Sequence, residues 1–199
     1  MAGVCALAMS ATAASALTTA YAADENGNPT SVNKIVLSIP VTAQVGTSCA
    51  FATNGAPNDS YDVSNILSGF THNTGFVLQC TSPLRMAIVS ANGGLLVSSV
   101  TPPAGYSNLA PYNVQLHIAG DSLTSADSPL CNAATLTTGG TCSYAGTAST
   151  TQGFHFAGTS NLVSGSYVQI SAPTYTGSNV LVASSGYSDT LIVTLSASL

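Results

Sequence analysis

Residues 33–45, NKIVLSIPVTAQV, constrain the fold more than any other stretch of the chain. Ile35, Leu37, Ile39, Val41, Ala43 and Val45 occupy one parity, and Lys34, Ser38, Thr42 and Gln44 fall on the other. Such alternation belongs to a strand with one buried face. At about 3.3 Å per residue these positions would span roughly 43 Å, more than twice an ordinary strand. Pro40 stands near the middle, has no N–H for a ladder, and is poorly tolerated inside a central strand. The stretch therefore reads as two strand segments meeting at Pro40.

Composition extends this to the whole chain. Charged residues make up 5% of the sequence, against about a quarter in an ordinary soluble domain. Helices draw their wet faces from Glu, Lys, Arg and Gln, whereas short runs of Val, Thr, Ile and Tyr favour strands. The expected class is all-β. The only basic side chains are Lys34 and Arg85, and the formal net charge is −5. A surface that tracks phosphates needs several cations on one face, so neither nucleic acid nor anionic lipid is an expected partner.

The first 22 residues contain an apolar, Ala-rich run ending in Ala20-Tyr21-Ala22, the small-x-small pattern of a secretory cleavage site. Residues 1–22 are read as a signal peptide, with no membrane insertion after its removal. Residues 23–40 form a polar leader followed by the first strand segment, and residues 41–199 a single β-sandwich domain. Cys5 leaves with the signal peptide, and Cys49, Cys80, Cys131 and Cys142 remain. An even count in an exported chain implies two disulfides with three connectivities open. Joining neighbours, Cys49 with Cys80 and Cys131 with Cys142, closes the shortest loops, of 31 and 11 positions, and stabilises by about 3 to 4 and about 3 kcal/mol respectively. A zinc site is disfavoured because neither C-x-x-C nor H-x-x-x-H occurs.

Further strands are expected at 76–80 and 85–89, separated by a Ser-Pro turn, with Asn92-Gly93 turning the second into a hairpin whose return arm is Leu95-Leu96-Val97. Tyr112, Val114, Leu116 and Ile118 share one face of a core strand. The Gly-, Ser- and Thr-rich residues 119–151 should hold short edge strands stapled by a disulfide. Strands at 167–173 and 179–183 follow, and residues 190–199 place Leu191, Val193, Leu195, Ala197 and Leu199 on one face. An Ig-like sandwich closes with a final strand beside the penultimate one. If residues 190–199 are the penultimate strand, its outer edge lacks a cover and invites another chain.

At the level of motifs the chain resembles the spore coat protein U family, which includes subunits of archaic chaperone-usher pili. The likeness rests on Val45-Gly46-Thr47-Ser48-Cys49-Ala50-Phe51, on Gly75-Phe76-Val77-Leu78-Gln79-Cys80-Thr81 leading into Met86-Ala87-Ile88-Val89 and Asn92-Gly93-Gly94, and on Leu109-Ala110-Pro111-Tyr112-Asn113-Val114. The closing Gly186-Tyr187-Ser188-Asp189-Thr190-Leu191 resembles the family's G-x-Y-x-D-T ending, one residue shorter between Gly and Tyr. Residues 119–165 depart from the family pattern. The resemblance implies an incomplete Ig-like sandwich, carried by a periplasmic chaperone and polymerised at an outer-membrane usher by donor-strand exchange. It makes Ile35, Leu37, Ile39 and Val41 the donor side chains, and Leu191, Val193 and Leu195 the edge of the acceptor groove in a neighbouring subunit. A self-contained secreted module binding carbohydrate or a surface ligand is the alternative, with 35–45 as its own first strand.

No enzyme is expected. His72, His117 and His155 are scattered, and the aspartates form no constellation with them. His117 lies on the solvent parity of its strand, and His155 is flanked by Phe154 and Phe156 as an outward position. Asp59 and Asp62 lack the alternating carboxylates of a calcium loop. Asp189 is read as turn chemistry, bonding nearby backbone N–H groups. No cofactor is expected.

Overall fold

The computed structural model describes residues 46–198 apart from Asn58, Ser64 and Ser185. The residues read above as signal peptide and leader, and the expected donor positions Ile35, Leu37, Ile39 and Val41, lie outside the described residues, as does Leu199. Among the described residues fifteen strands follow one another: β1 (Cys49–Phe51), β2 (Phe70–Phe76), β3 (Leu78–Cys80), β4 (Leu84–Ser90), β5 (Leu95–Leu96), β6 (Tyr106–Ser107), β7 (Leu109–Ala110), β8 (Asn113–Ala119), β9 (Ser125–Asp127), β10 (Cys131–Asn132), β11 (Phe154–Phe156), β12 (Ser160–Asn161), β13 (Ser166–Ala172), β14 (Val180–Leu181) and β15 (Leu191–Ala197). Only short 3₁₀ turns interrupt them among the described residues, and the protein is all-β.

Two antiparallel layers make the sandwich. In the first, β2, β13 and β8 lie side by side with β9 and β10 along the far edge of β8, while β3, one residue beyond β2, pairs with β1 and β12. In the second, β4 lies between β11 and β15. Alternation places Val114, Leu116 and Ile118 of β8 against Leu84, Met86 and Ile88 of β4, all fully buried. Fully burying each such side chain stabilises by about 1.5 to 3 kcal/mol. The register Leu191 to Ser90, Val193 to Ile88 and Leu195 to Met86 turns the expected face of β15 toward this core.

The expected hairpin at Asn92-Gly93 is not formed. Leu95 and Leu96 pair with Ala110 and Leu109 because both edges of β4 are occupied, one by β15 and the other by β11 and a bridge to Ala145. The turn is held instead from outside. Gly93, at φ +72°, donates its N–H to the Ser90 hydroxyl at 2.7 Å, and the Asn92 N–H is bound by Asp189. The first long strand also begins six residues before the expected start at 76, since Phe70-Thr-His-Asn-Thr-Gly has a polar outer parity and little apolar signal.

Both disulfides join sequence neighbours. Cys49 and Cys80 sit opposite one another in the β1–β3 ladder, and Cys131 is joined to Cys142. Between the second pair the chain makes a 3₁₀ turn that buries Ala133 and Leu136. Just after it, Tyr144 is wholly buried and donates its hydroxyl to the Val114 carbonyl at 2.6 Å. The segment therefore caps the core as well as supplying the expected edge strands β9 and β10.

Candidate functional site: a cleft beside the last strand

Among the described residues β15 pairs with β4 alone, so its other edge carries a row of unmatched backbone groups. The side chains next to that edge, Leu191, Val193 and Leu195, are half-buried although they face the core. Alongside runs a cleft of about 440 Å³ between the two layers. One wall is Leu191 and Val193; the other is Phe70, Thr74, Val168 and Ile170 from the inward parity of β2 and β13. Tyr112 and Leu95 also line it. The slot has apolar walls with polar side chains such as Asp59, Ser60, Ser188 and Asp189 among its lining, and it lies beside an open ladder edge, where backbone groups are available to an added strand.

A carboxylate anchors one end of this cleft. Asp189 lies two residues before the start of β15 and accepts from the Tyr112 hydroxyl at 2.7 Å, the Ser90 hydroxyl at 2.6 Å, the Asn92 N–H at 3.0 Å and the Thr190 N–H at 2.7 Å. Turn chemistry accounts for the last of these. The other three tie the head of β15 to the end of β4 and the start of β8, so Asp189 clamps both layers. Burial, followed by the adjacent Asp189 carboxylate, pushes the Tyr112 phenol well above its ordinary value.

At the mouth, the loop running to Val63 is pinned to β2. Tyr61 stacks on His72 with ring centres 3.9 Å apart and planes 5° from parallel, and His72 Nε2 lies 2.8 Å from an Asp59 carboxylate oxygen. The hydrogen bond to His72 lowers the Asp59 pKa. His72 faces inward, opposite Ile170. Asp59 is thus a partner for a histidine, and Asp62 has no such role in the hydrogen bonding of the described residues.

The remaining histidines stand apart from the cleft. His117 stacks on Tyr167 and meets Asp127 at 2.7 Å on the outer face, and His155 is exposed on β11. Among the described residues no three metal-ligating side chains gather in one place, and no helix is long and apolar enough to cross a membrane. Comparison of the chain with family models, curated proteins and solved structures finds no match.

Proposed function

We propose that the chain is a structural subunit of a surface pilus, exported with two disulfides, carried by a periplasmic chaperone and joined to its neighbours at an outer-membrane usher by donor-strand exchange. One observation carries the reading: β15 has a ladder partner on one side only among the described residues, and its inward side chains Leu191 and Val193 form an apolar wall of the adjoining cleft. The alternating residues 33–45 supply a strand of matching chemistry. Ile35, Leu37, Ile39 and Val41 enter the neighbour's cleft, each contributing about 1.5 to 3 kcal/mol on full burial, or roughly 6 to 12 kcal/mol before ordering costs. Division of the long run near Pro40, with Val41 at the boundary, gives the first part to a neighbour and the remainder to the chain's own sandwich. Attachment or biofilm support is the role such a fibre serves.

Deletion of residues 23–39 tests the reading. The truncated subunit should remain soluble with its chaperone and accept a synthetic donor peptide of residues 33–45, yet fail to cap another subunit. A full-length protein that stays monomeric, with residues 33–45 protected from hydrogen exchange by their own domain, would overturn it.

A further inference from the structure

We infer that the outer face of the β2–β13 layer carries a binding site for a neutral saccharide, separate from the donor-strand cleft and independent of it. Along β2 and β13 the two sites draw on opposite parities except at Phe76 and Ser166, which also line the outer one. Thr74 and Val168 point into the inner cleft, whereas Asn73, Gly75 and Tyr167 border a shallow outer hollow of about 390 Å³. Its lining contains no charged side chain.

Tyr167 is the aromatic side chain on the outer parity that lines this hollow. Its cross-strand neighbours are His117 on β8 and Gly75 on β2. His117 stacks on one face of the ring at 4.8 Å and 15°, and Asp127 holds the imidazole at 2.7 Å. On the Gly75 side there is no side chain, so the second aromatic face opens onto the hollow. Glycine weakens a strand and often marks the close approach of a backbone or a ligand. No backbone explains Gly75: a Cβ placed there would meet only the Ser166 carbonyl oxygen, at 3.9 Å. Its backbone is not in the left-handed region either. What the glycine leaves is room beside an aromatic plane.

Polar groups surround that room. Asn73 accepts from the Gln169 amide at 3.0 Å through Oδ1, which leaves its amide nitrogen free to donate. Asn54 also lines the hollow, in a turn tied to the strand by the Ala52 N–H on the Val77 carbonyl and the Val77 N–H on the Gly55 carbonyl, at 2.9 and 2.8 Å. A flat aromatic face with uncharged amides at its margin matches the apolar C–H face and equatorial hydroxyls of a pyranose. An anionic ligand would find no cation in the lining.

Saturation-transfer difference NMR on the full-length protein tests the site, with maltotriose, cellotriose, mannotriose and chitotriose as probes and adenosine as a planar control. At least one trisaccharide should bind, with a Kd on the order of 1 mM, and Gly75→Val and Tyr167→Ala should each weaken it at least tenfold. Gly75→Val has space and a strand-compatible backbone, so its thermal unfolding should match the parent even if Tyr167→Ala folds poorly. Gln115→Ala, on the same face outside the hollow, should leave binding unchanged. Absence of binding by all four trisaccharides, binding that survives Gly75→Val, or binding of adenosine alone would overturn the assignment.

Discussion

Replacing Asp189 by alanine should cost far more than loss of a turn residue. The carboxylate accepts four hydrogen bonds, two from backbone N–H groups and two from the hydroxyls of Ser90 and Tyr112, which are 1% and 4% exposed. A typical net value near 1 kcal/mol per bond gives roughly 4 kcal/mol, and stranding two buried hydroxyls keeps the cost from falling much below about 3. For a domain of this size each kcal/mol moves Tm by about 2 to 4 °C, so a drop of roughly 8 to 16 °C is expected. Thermal unfolding followed by circular dichroism at pH 7, at fixed protein concentration with disulfides intact, measures it. Asp189→Asn keeps an oxygen for the backbone donors and should lose only about 1 to 2 kcal/mol through the weaker neutral bonds. Tyr112→Phe should cost about 1 kcal/mol in the parent and nearly nothing in the Asp189→Ala background. A loss below about 1 kcal/mol for Asp189→Ala, or full additivity with Tyr112→Phe, would refute the clamp.

Buried tyrosines should make the fold sensitive to alkali. Burial raises the pKa values of Tyr112 and Tyr144 in the folded state. Their contribution is complete below the unfolded value near 10 and is lost as pH rises toward the folded ones, at about 1.4 kcal/mol per pH unit for each; urea midpoints between pH 9 and 11 should fall, less steeply for Tyr112→Phe. Replacing Cys131 and Cys142 together by alanine should cost about 2 to 3 kcal/mol in urea unfolding, since the bridge frames the turn that buries Leu136; an unchanged midpoint would deny the segment its core-capping role. Leu116→Ala, at a wholly buried site, should cost about 2 to 5 kcal/mol. Exposed Ile192, on the outer parity of β15, should accept Lys within about 0.5 kcal/mol by the same measurement.

Periodicity made the longest strands legible. Residues 113–119 alternate over seven positions and bury the parity that their apolar residues mark, while in 191–197 the marked parity faces the core but is only half-buried. Where strands were missed, the information lay elsewhere in the chain. The strand Phe70–Phe76 hides because His72 and Thr74 occupy inward positions, where His72 bonds Asp59 and stacks on Tyr61. Asn92-Gly93 gave a local hairpin signal that tertiary competition overrode, because the neighbouring strand positions were already filled. The half-buried residues beside the cleft could be anticipated from the apolar face of residues 190–199, but the anchor of the cleft could not. Asp189 reaches hydroxyls 99 and 77 positions away in sequence, and no local pattern announces such bonds. Tyr144 lies in a polar stretch without periodicity, so its buried position comes from the disulfide frame around it.

Donor-strand exchange is tested most directly by a cross-link between the two strands it brings together. With Leu37→Cys in the donor run and Val193→Cys beside the open edge, oxidised fibres should run on a non-reducing gel as a ladder of covalently linked subunits, absent from either single variant. Mixing the two single variants during assembly should yield linked dimers, which establishes that the donor comes from another copy. A single monomer band in which the two introduced cysteines are joined within one chain would place the segment in its own domain and contradict the assembly mechanism.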